Sequence, residues 1–169
     1  MDPADLRARQ APLKERYRAD PASADTPLRA RADFRDEGIS ATVDGWAGPV
    51  RAGLHRATGG DGSDACSADM LLEAVLACAG VTLRSVATAM RIDVRSASLR
   101  ADSSFDARGT LGLVKEVPVG IGEVTITAEL DTDADDAALD RLGRLAERYC
   151  VVGQSLRLPP RIVVRRLAG

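Results

Sequence analysis

The stretch DMLLEAVLACAGVTLRSVA, residues 69–87, contains the longest apolar run of the chain and decides its fold. Its only charged residues are Asp69, Glu73 and Arg84, and residues 74–83 carry no charge at all. A helix with no polar face over this length is expected to be buried on all sides. Spanning a bilayer takes about 20 predominantly apolar residues, so the three charges favour a buried core helix over a membrane span.

The composition predicts one folded domain, or one domain with an appendage, in a chain of 169 residues. Apolar residues make up 45% and charged residues 28%, a balance typical of a protein with a packed core. Aromatic residues are only 3%, so the core must be built from aliphatic side chains. The formal net charge of −2 is too balanced to indicate nucleic-acid binding.

The N-terminal segment, residues 1–25, is predicted to be an extension made of a short charged helix and the linker ADPASADTP. It interleaves acids and bases without an apolar run, unlike a secretory signal peptide. The three cysteines form no CxxC pair, which favours a reducing cytoplasm in which thiols stay free. We therefore expect a cytoplasmic protein, without a membrane partner, whose main domain is residues 26–169.

The remaining pattern predicts an α+β domain. N-terminal antiparallel strands are separated by the turns RDEG and AGP, and a second half of strands plus one amphipathic helix follows the central helix. The expected strands are residues 28–34, 39–46, 50–57, 91–105, 122–130 and 161–167. Ser67 is the expected N-cap of the central helix, and Asp133 that of the amphipathic helix that ends near Cys150.

Cys78 lies in the middle of the central helix, where a thiol is most often a small hydrophobic side chain. The alternative is a reactive thiol, and because no helix N-terminus is nearby, its activation must come from a neighbouring cation. Asp69, Glu73 and Arg84 fall on another face of the helix, so any activating cation has to come from another element or subunit.

Cys150 stands at the exit of the amphipathic helix, where ERYC gives way to VVGQSL. Such a thiol is either a half-buried helix end or a mobile resolving thiol. Cys66 precedes the central helix in an acidic loop and is expected to be a bystander. The three cysteines and His55 could form a Cys₃His zinc set, but the close ligand pairs of structural zinc sites are missing, and we expect no metal.

The segments LLEAVLACAGVTL and ERYCVVGQSL, in this order and at this distance, resemble the OsmC/Ohr superfamily of osmotically inducible and organic hydroperoxide resistance proteins. TGGDGS resembles the glycine-rich approach to the family's helix, and the resemblance covers roughly residues 26–167. It implies an OsmC-like fold and an intertwined homodimer with active sites at the subunit interface.

The resemblance also implies a thiol-dependent peroxidase for organic hydroperoxides that needs no metal, haem or flavin cofactor. Cys78 matches the peroxidatic cysteine, Cys150 the resolving one, and Arg35 in RDEG the assisting arginine. A thiolate cleaves the peroxide and becomes a sulfenic acid, which a second thiol converts to a disulfide. An external dithiol, for which a lipoyl-type compound is one candidate, would then reduce this disulfide.

The chain departs from the family's two motifs at two places, which indicates a divergent subfamily. The family's glutamate before the helix is Ala68 here, although Asp69 and Glu73 stand nearby, and the proline after the second cysteine is Val151. Two alternatives to a peroxidase remain open. One is a non-catalytic OsmC-like module that binds a small apolar or thiol-reactive ligand, and the other is a structural dimer whose cysteines only fill the core.

Overall fold

The computed structural model describes residues 2–167, which form two small sheets and five helices. In chain order the elements are α1 (Pro3–Ala19), β1 (Ala32–Asp33), β2 (Ser40–Gly45), β3 (Gly48–Gly53), β4 (Ala65–Cys66), α2 (Ser67–Met90), β5 (Ser96–Asp102), α3 (Ala107–Thr110), β6 (Thr125–Asp131), α4 (Asp136–Tyr149), α5 (Val151–Gln154) and β7 (Arg161–Arg166). Short 3₁₀ turns follow α1 and β3. The predicted α+β class is confirmed.

The N-terminal sheet has the strand order β1-β2-β3-β4. β2 and β3 form an antiparallel hairpin, with Val43 opposite Val50, as the sequence predicts. β1 is much shorter than the predicted strand 28–34, and Leu28 and Phe34 on either side of it are both 87% exposed. The apolar side chains of this segment find no cover within one chain, so pairing stops after two residues.

The C-terminal sheet has the order β5-β6-β7, with β6 antiparallel to β5 and parallel to β7. Ile126, Ala128 and Leu130 are buried on one face of β6. This confirms the strand that the alternating pattern predicts, because side chains at every second position share a face. The outer edge of β5 has no strand partner among the described residues.

The core lies between this sheet and the helices α2 and α4. Helix α2 contributes Val75, Ala79, Leu83 and Ala87, which recur every four residues on one face. Helix α4 contributes Leu139, Leu142 and Ala146. The remaining members are Val124, Cys150 and residues of β6 and β7. The central helix therefore belongs to the core, as predicted.

One face of α2 departs from the prediction of burial on all sides. Ala74, Ala77 and Val81 are exposed within the single chain, Val81 by 73%. Among the helices of residues 2–167, α2 alone is long and apolar enough to cross a membrane. The core helix of a folded domain can have the same length and composition. The chain supplies packing layers on the sheet-facing side of the helix only, which leaves this apolar stripe uncovered.

Both predicted helix caps are wrong by one or two positions. Helix α2 begins at Ser67, so Cys66 is its N-cap and makes no side-chain cap bond. The register is set by β4, which places Cys66 beside Gly53 of β3. The cap of α4 is Asp135, whose carboxylate accepts a 2.7 Å bond from the Ala138 N–H. The predicted cap Asp133 binds Arg95 instead.

The N-terminal extension contains the predicted charged helix, α1, none of whose residues is buried. It has no apolar face, because charges are distributed all around it. Its start lies against α2, where Leu6 and Arg7 line a groove. The boundary between an extension of residues 1–25 and a domain of residues 26–169 stays a prediction.

Alanine substitution of two helical glycines is expected to change the stability of the protein in opposite directions. A Cβ at Gly143 of α4 would lie 2.8 Å from the Ile162 carbonyl oxygen, whereas one at Gly80 of α2 would meet only Leu99 Cδ2 at 3.6 Å. We expect Gly143→Ala to lower the free energy of unfolding by about 1–3 kcal/mol, because overpacking outweighs the gain in helix propensity. Gly80→Ala, the matched control, should raise it by about 0.5–1 kcal/mol. Urea unfolding of both variants tests this, and a stabilised Gly143→Ala protein would contradict the packing of α4 on β7.

Candidate active site

Cys78 sits halfway along α2 and is only partly buried. Its helical stripe contains Leu71, Val75 and Thr82, since residues three, four and seven positions apart share a face. The thiol therefore lies at the margin of the core, between the buried face of α2 and the exposed stripe of Ala74, Ala77 and Val81.

The chain reversal after α4 brings Cys150 to the same place. Cys150 ends α4 and begins α5 with an extended backbone, so the chain turns sharply at this residue. Its N–H donates to the Ala146 carbonyl at 3.0 Å, and its carbonyl accepts from the Gln154 N–H at 2.8 Å. Because α5 packs on α2, the Cys150 side chain is 0% exposed and its thiol group contacts that of Cys78.

The pKa of the Cys78 thiol lies below its ordinary value. Burial is the largest single cause and raises it, but four donor groups near the sulfur together outweigh burial. These are, from the largest effect on the pKa to the smallest, the Val152 N–H, the Cys150 thiol, the Thr82 hydroxyl and the Val151 N–H. Donors that point at a thiolate stabilise its charge, so Cys78 is the more acidic partner.

The pKa of Cys150 is shifted the other way. Burial is the largest cause and raises the pKa of Cys150, and the neighbouring Cys78 raises it further. The Gly153 N–H, which donates to Cys150 Sγ at 3.4 Å, partly offsets this increase. The two thiols thus form a polarised pair in which the Cys150 S–H donates to the Cys78 sulfur.

Gly153 is a part of this site that sequence reasoning missed. A Cβ there would lie 2.9 Å from Pro160 Cγ and 3.1 Å from Cys150 Sγ, so only glycine fits without a shift of the turn. Gly153 is buried, as is Pro160. The signal in the sequence is a glycine three residues after a cysteine at a helix exit, which is the spacing of an N-cap side chain and its N–H donor.

The expectation that only a cation could activate Cys78 is wrong. The donors are two backbone amides at the start of α5, a hydroxyl and the second thiol. The segment VVGQSL begins with a helical turn, α5, whose first N–H groups lie near the Cys78 sulfur. Donors of this kind cannot be seen in a residue pattern, because every residue but proline has an N–H.

Arg35 lies elsewhere in the chain, in the turn between β1 and β2. Its guanidinium binds Asp33, with Nε 2.6 Å from Oδ1, and Asp44, with Nη2 2.9 Å from Oδ1. These bonds raise the pKa of Arg35 and lower that of Asp33, although all three side chains are largely exposed. Within one chain, Cys78 and Cys150 therefore lie in contact, whereas Arg35 lies away from both.

Two aspartates bind Arg35, whereas Ala68 stands at the position of the family's glutamate. Asp33 and Asp44 flank Arg35 on its own hairpin and fix the direction of its guanidinium. A bidentate carboxylate is the geometry that orients an arginine best. Sequence reasoning looked for the acid near the start of α2, at Asp69 and Glu73, and missed the two acids beside the arginine itself.

Cys66 and His55 lie apart from the thiol pair, in a pocket of about 570 Å³ that Asp69 and Glu73 also line. His55 Nδ1 accepts a 3.0 Å bond from the Ala57 N–H, and its ring packs edge-on against Phe105 at 5.3 Å between centroids. Among the described residues, no group of three or more histidine, cysteine or acidic side chains could hold a metal ion.

A larger groove of about 1080 Å³ lies on the other side of α2. Its apolar lining comes from Leu83 and Ala87 of α2, Leu99 of β5 and Leu130 of β6, with Arg84 on its rim. It follows the unpaired edge of β5 and does not include either thiol of the pair. It is a surface that the single chain leaves open.

The family model "OsmC-like protein" matches residues 60–165, which include α2, both thiols and all but the last residue of the C-terminal sheet. The chain belongs to the OsmC-like protein family. The match covers more than half of the chain and confirms the resemblance seen in the two cysteine segments.

Solved structures of OsmC-like proteins share this fold at low identity. An OsmC-like protein from Mycoplasma pneumoniae is 16% identical with a TM-score of 0.63, and the match covers 85% of this chain and 97% of the other. An organic hydroperoxide resistance protein from Elizabethkingia anophelis is 15% identical with a TM-score of 0.65, over 85% and 99%. An OsmC-like protein of unknown function from Vibrio cholerae is 12% identical with a TM-score of 0.66, over 85% and 100%. No curated protein matches the chain.

The hydrogen bonds to Cys78 predict how the reactivity of this OsmC-like protein depends on pH. In a Cys66→Ser background, the thiolate absorbance of Cys78 should titrate below the ordinary cysteine pKa of about 8.5. Cys150→Ala and Thr82→Val each remove one donor from the sulfur and should raise this pKa, so that the thiolate fraction at pH 7 falls. Thr88→Val is the matched control, because the Thr88 hydroxyl binds the Arg84 carbonyl at 2.8 Å and not a thiol. An unchanged titration in Cys150→Ala would contradict the polarised pair.

Proposed function

We propose that this OsmC-like protein is a thiol-dependent peroxidase that reduces organic hydroperoxides and so protects against oxidative stress. The observation that carries the proposal is the contact between Cys78 and Cys150, whose pKa values are shifted in opposite directions. One acidic, partly exposed thiol beside one buried, protonated thiol is the arrangement that peroxide cleavage followed by disulfide formation requires.

The reaction begins at the Cys78 thiolate. Its sulfur attacks the terminal oxygen of the hydroperoxide, the O–O bond breaks, and the alkoxide leaves and takes a proton to become an alcohol. The Cys150 S–H is the neighbouring proton donor, and losing this proton turns Cys150 into a thiolate. That thiolate then attacks the sulfenic acid sulfur of Cys78, so that a disulfide forms and hydroxide leaves, which takes a proton from the solvent to become water. Each turnover reduces one peroxide and oxidises two thiols.

The surroundings of Cys78 favour an apolar substrate. The side chains packed around this end of the core are aliphatic and include Leu71, Leu72, Leu76, Val152 and Leu156. An alkyl hydroperoxide loses less hydration than hydrogen peroxide when it enters such surroundings, because its carbon chain gains from burial. The same surroundings slow the approach of a second peroxide to the sulfenic acid.

We propose that the protein works as a homodimer. The apolar stripe Ala74, Ala77 and Val81 on α2 and the unpaired edge of β5 are uncovered, and Phe34, Ile39 and Trp46 of the N-terminal sheet are exposed by 87%, 76% and 103%. Apolar patches and free sheet edges of this kind are covered in natural proteins. A second copy offers both the strands and the apolar side chains to cover them.

In this dimer Arg35 reaches the active site of the other subunit. The strand β1 beside it is only two residues long within one chain, and Asp33 and Asp44 fix the direction of its guanidinium. The role proposed for Arg35 is to bind the peroxide oxygens and the leaving alkoxide, since a guanidinium stays charged when water is excluded. The reductant is proposed to be an external dithiol, and three free cysteines suit a reducing cytoplasm.

Single-turnover experiments separate the roles of the two thiols. Cys78→Ser should abolish peroxide consumption, because no thiolate remains at the site. Cys150→Ser should consume one equivalent and accumulate a sulfenic acid on Cys78 that dimedone traps. Arg35→Ala should slow this first step on the order of tenfold without abolishing it, as loss of one charged hydrogen bond does. The measurement is rapid-quench consumption of cumene hydroperoxide, followed by peptide mass spectrometry.

Cys66→Ser is the control for these variants and should turn over within about twofold of the original protein, since Cys66 lies in a separate pocket. Dimedone on Cys150, or full activity of Cys78→Ser, would reverse the assignment. A protein that binds cumene hydroperoxide but never consumes it would favour the non-catalytic binding module instead.

The dimer proposal predicts the effect of a charge in the α2 stripe. Val81→Asp should shift the protein from dimer to monomer at micromolar concentration, because an aspartate buried at the interface would lose its hydration. Val119→Asp is the control, a valine exposed by 63% in the loop before β6, and it should remain dimeric. Sedimentation velocity measures both, and a monomeric parent protein would contradict the proposal.

A further inference from the structure

The two thiols of the proposed disulfide differ in access. Cys78 is partly exposed on the surface of α2, whereas Cys150 is 0% exposed. Thiol–disulfide exchange starts with a thiolate that attacks one sulfur in line with the S–S bond, and access decides which sulfur is attacked. The reductant has to be an external molecule, so this difference bears directly on the second half of the catalytic cycle.

The enclosure of Cys150 comes from four sides. Its backbone N–H is bound to the Ala146 carbonyl, and the Gly153 N–H points at its sulfur at 3.4 Å. The buried ring of Pro160 lies behind Gly153 and leaves no room even for a Cβ there. On the fourth side is α2 itself. An external thiol could reach Cys150 only if α5 left its place on α2.

We infer that the reductant opens the Cys78–Cys150 disulfide at the sulfur of Cys78, so that the mixed disulfide forms on Cys78 and Cys150 is the leaving thiol. The inference rests on the proposed function, and the reductant is an external dithiol. Its first thiolate forms an S–S bond to Cys78 while the electron pair of the broken bond goes to Cys150. The Gly153 N–H stabilises that charge until Cys150 takes up a proton.

The second exchange then regenerates the enzyme. The other thiolate of the reductant attacks the reductant's own sulfur in the mixed disulfide, which closes a cyclic disulfide and releases Cys78 as a thiolate. The lowered pKa of Cys78 makes it a good leaving group in this step. A monothiol lacks this intramolecular step, so it should stop at the mixed disulfide on Cys78, from which Cys150 can only return to the starting disulfide.

The first experiment traps the mixed disulfide in the Cys66→Ser protein. Diamide, rather than a peroxide, forms the Cys78–Cys150 disulfide, so the result does not depend on peroxidase activity. Glutathione is added as a monothiol, the reaction is quenched in acid, free thiols are blocked with N-ethylmaleimide, and peptides are mapped. We expect glutathione on Cys78 and the maleimide on Cys150. Glutathione on Cys150 would overturn the inference.

A second experiment compares the two sulfurs separately and needs no internal disulfide. Proteins with Cys78 or Cys150 as the sole cysteine are converted to pyridyl mixed disulfides with dithiodipyridine, and dihydrolipoamide releases the thiopyridone. Release from Cys78 should be at least about tenfold faster, or Cys150 should resist labelling altogether, because access limits the exchange. Equal release from both sulfurs, or faster release from Cys150, would overturn the inference. If diamide forms no Cys78–Cys150 bond, the proposed function fails, and this comparison still decides which sulfur a reductant can reach.

Discussion

The contact of α5 with α2 is the constraint on which the rest of the site depends. It closes the reversal after α4, buries the Cys150 sulfur and brings the first N–H groups of α5 to Cys78. A thiolate in apolar surroundings is costly unless donors surround it. Here the donors come from the same turn that carries the second thiol, so the position of one cysteine and the acidity of the other have a single structural cause.

Glycines at two close approaches make this arrangement possible. Gly143 lets α4 approach the backbone of β7, and Gly153 lets α5 turn between Pro160 and Cys150. Glycine has a low helix propensity, but at both positions any side chain would keep the packed elements farther apart. The second approach brings the Gly153 N–H within 3.4 Å of a buried sulfur, which lowers the cost of negative charge there during thiol exchange.

Much of the fold could be predicted because its signals are local and periodic. The alternation in β6 and the long apolar run of α2 indicate side chains that must be buried, and the turns RDEG and AGP mark where strands end. The joining of Cys78 to Cys150 could be expected only through the family resemblance, since their spacing says nothing about contact. The donors to Cys78 and the aspartates beside Arg35 were missed, because backbone amides leave no sequence pattern and exposed acids are common.

The expectation that α2 is buried on all sides is met only in part within a single chain. The sequence predicts that α2 is apolar on every side, yet one chain covers only the side that faces its own sheet and α4. The uncovered stripe at Ala77 and Val81 lies one turn or less from Cys78, so whatever covers it must also border the thiol. A second copy that covers this stripe would therefore shape the entrance to Cys78. The exposed side of α2 would then line the site around this thiol. In such a dimer, helix burial, subunit association and access to Cys78 would all follow from one apolar sequence.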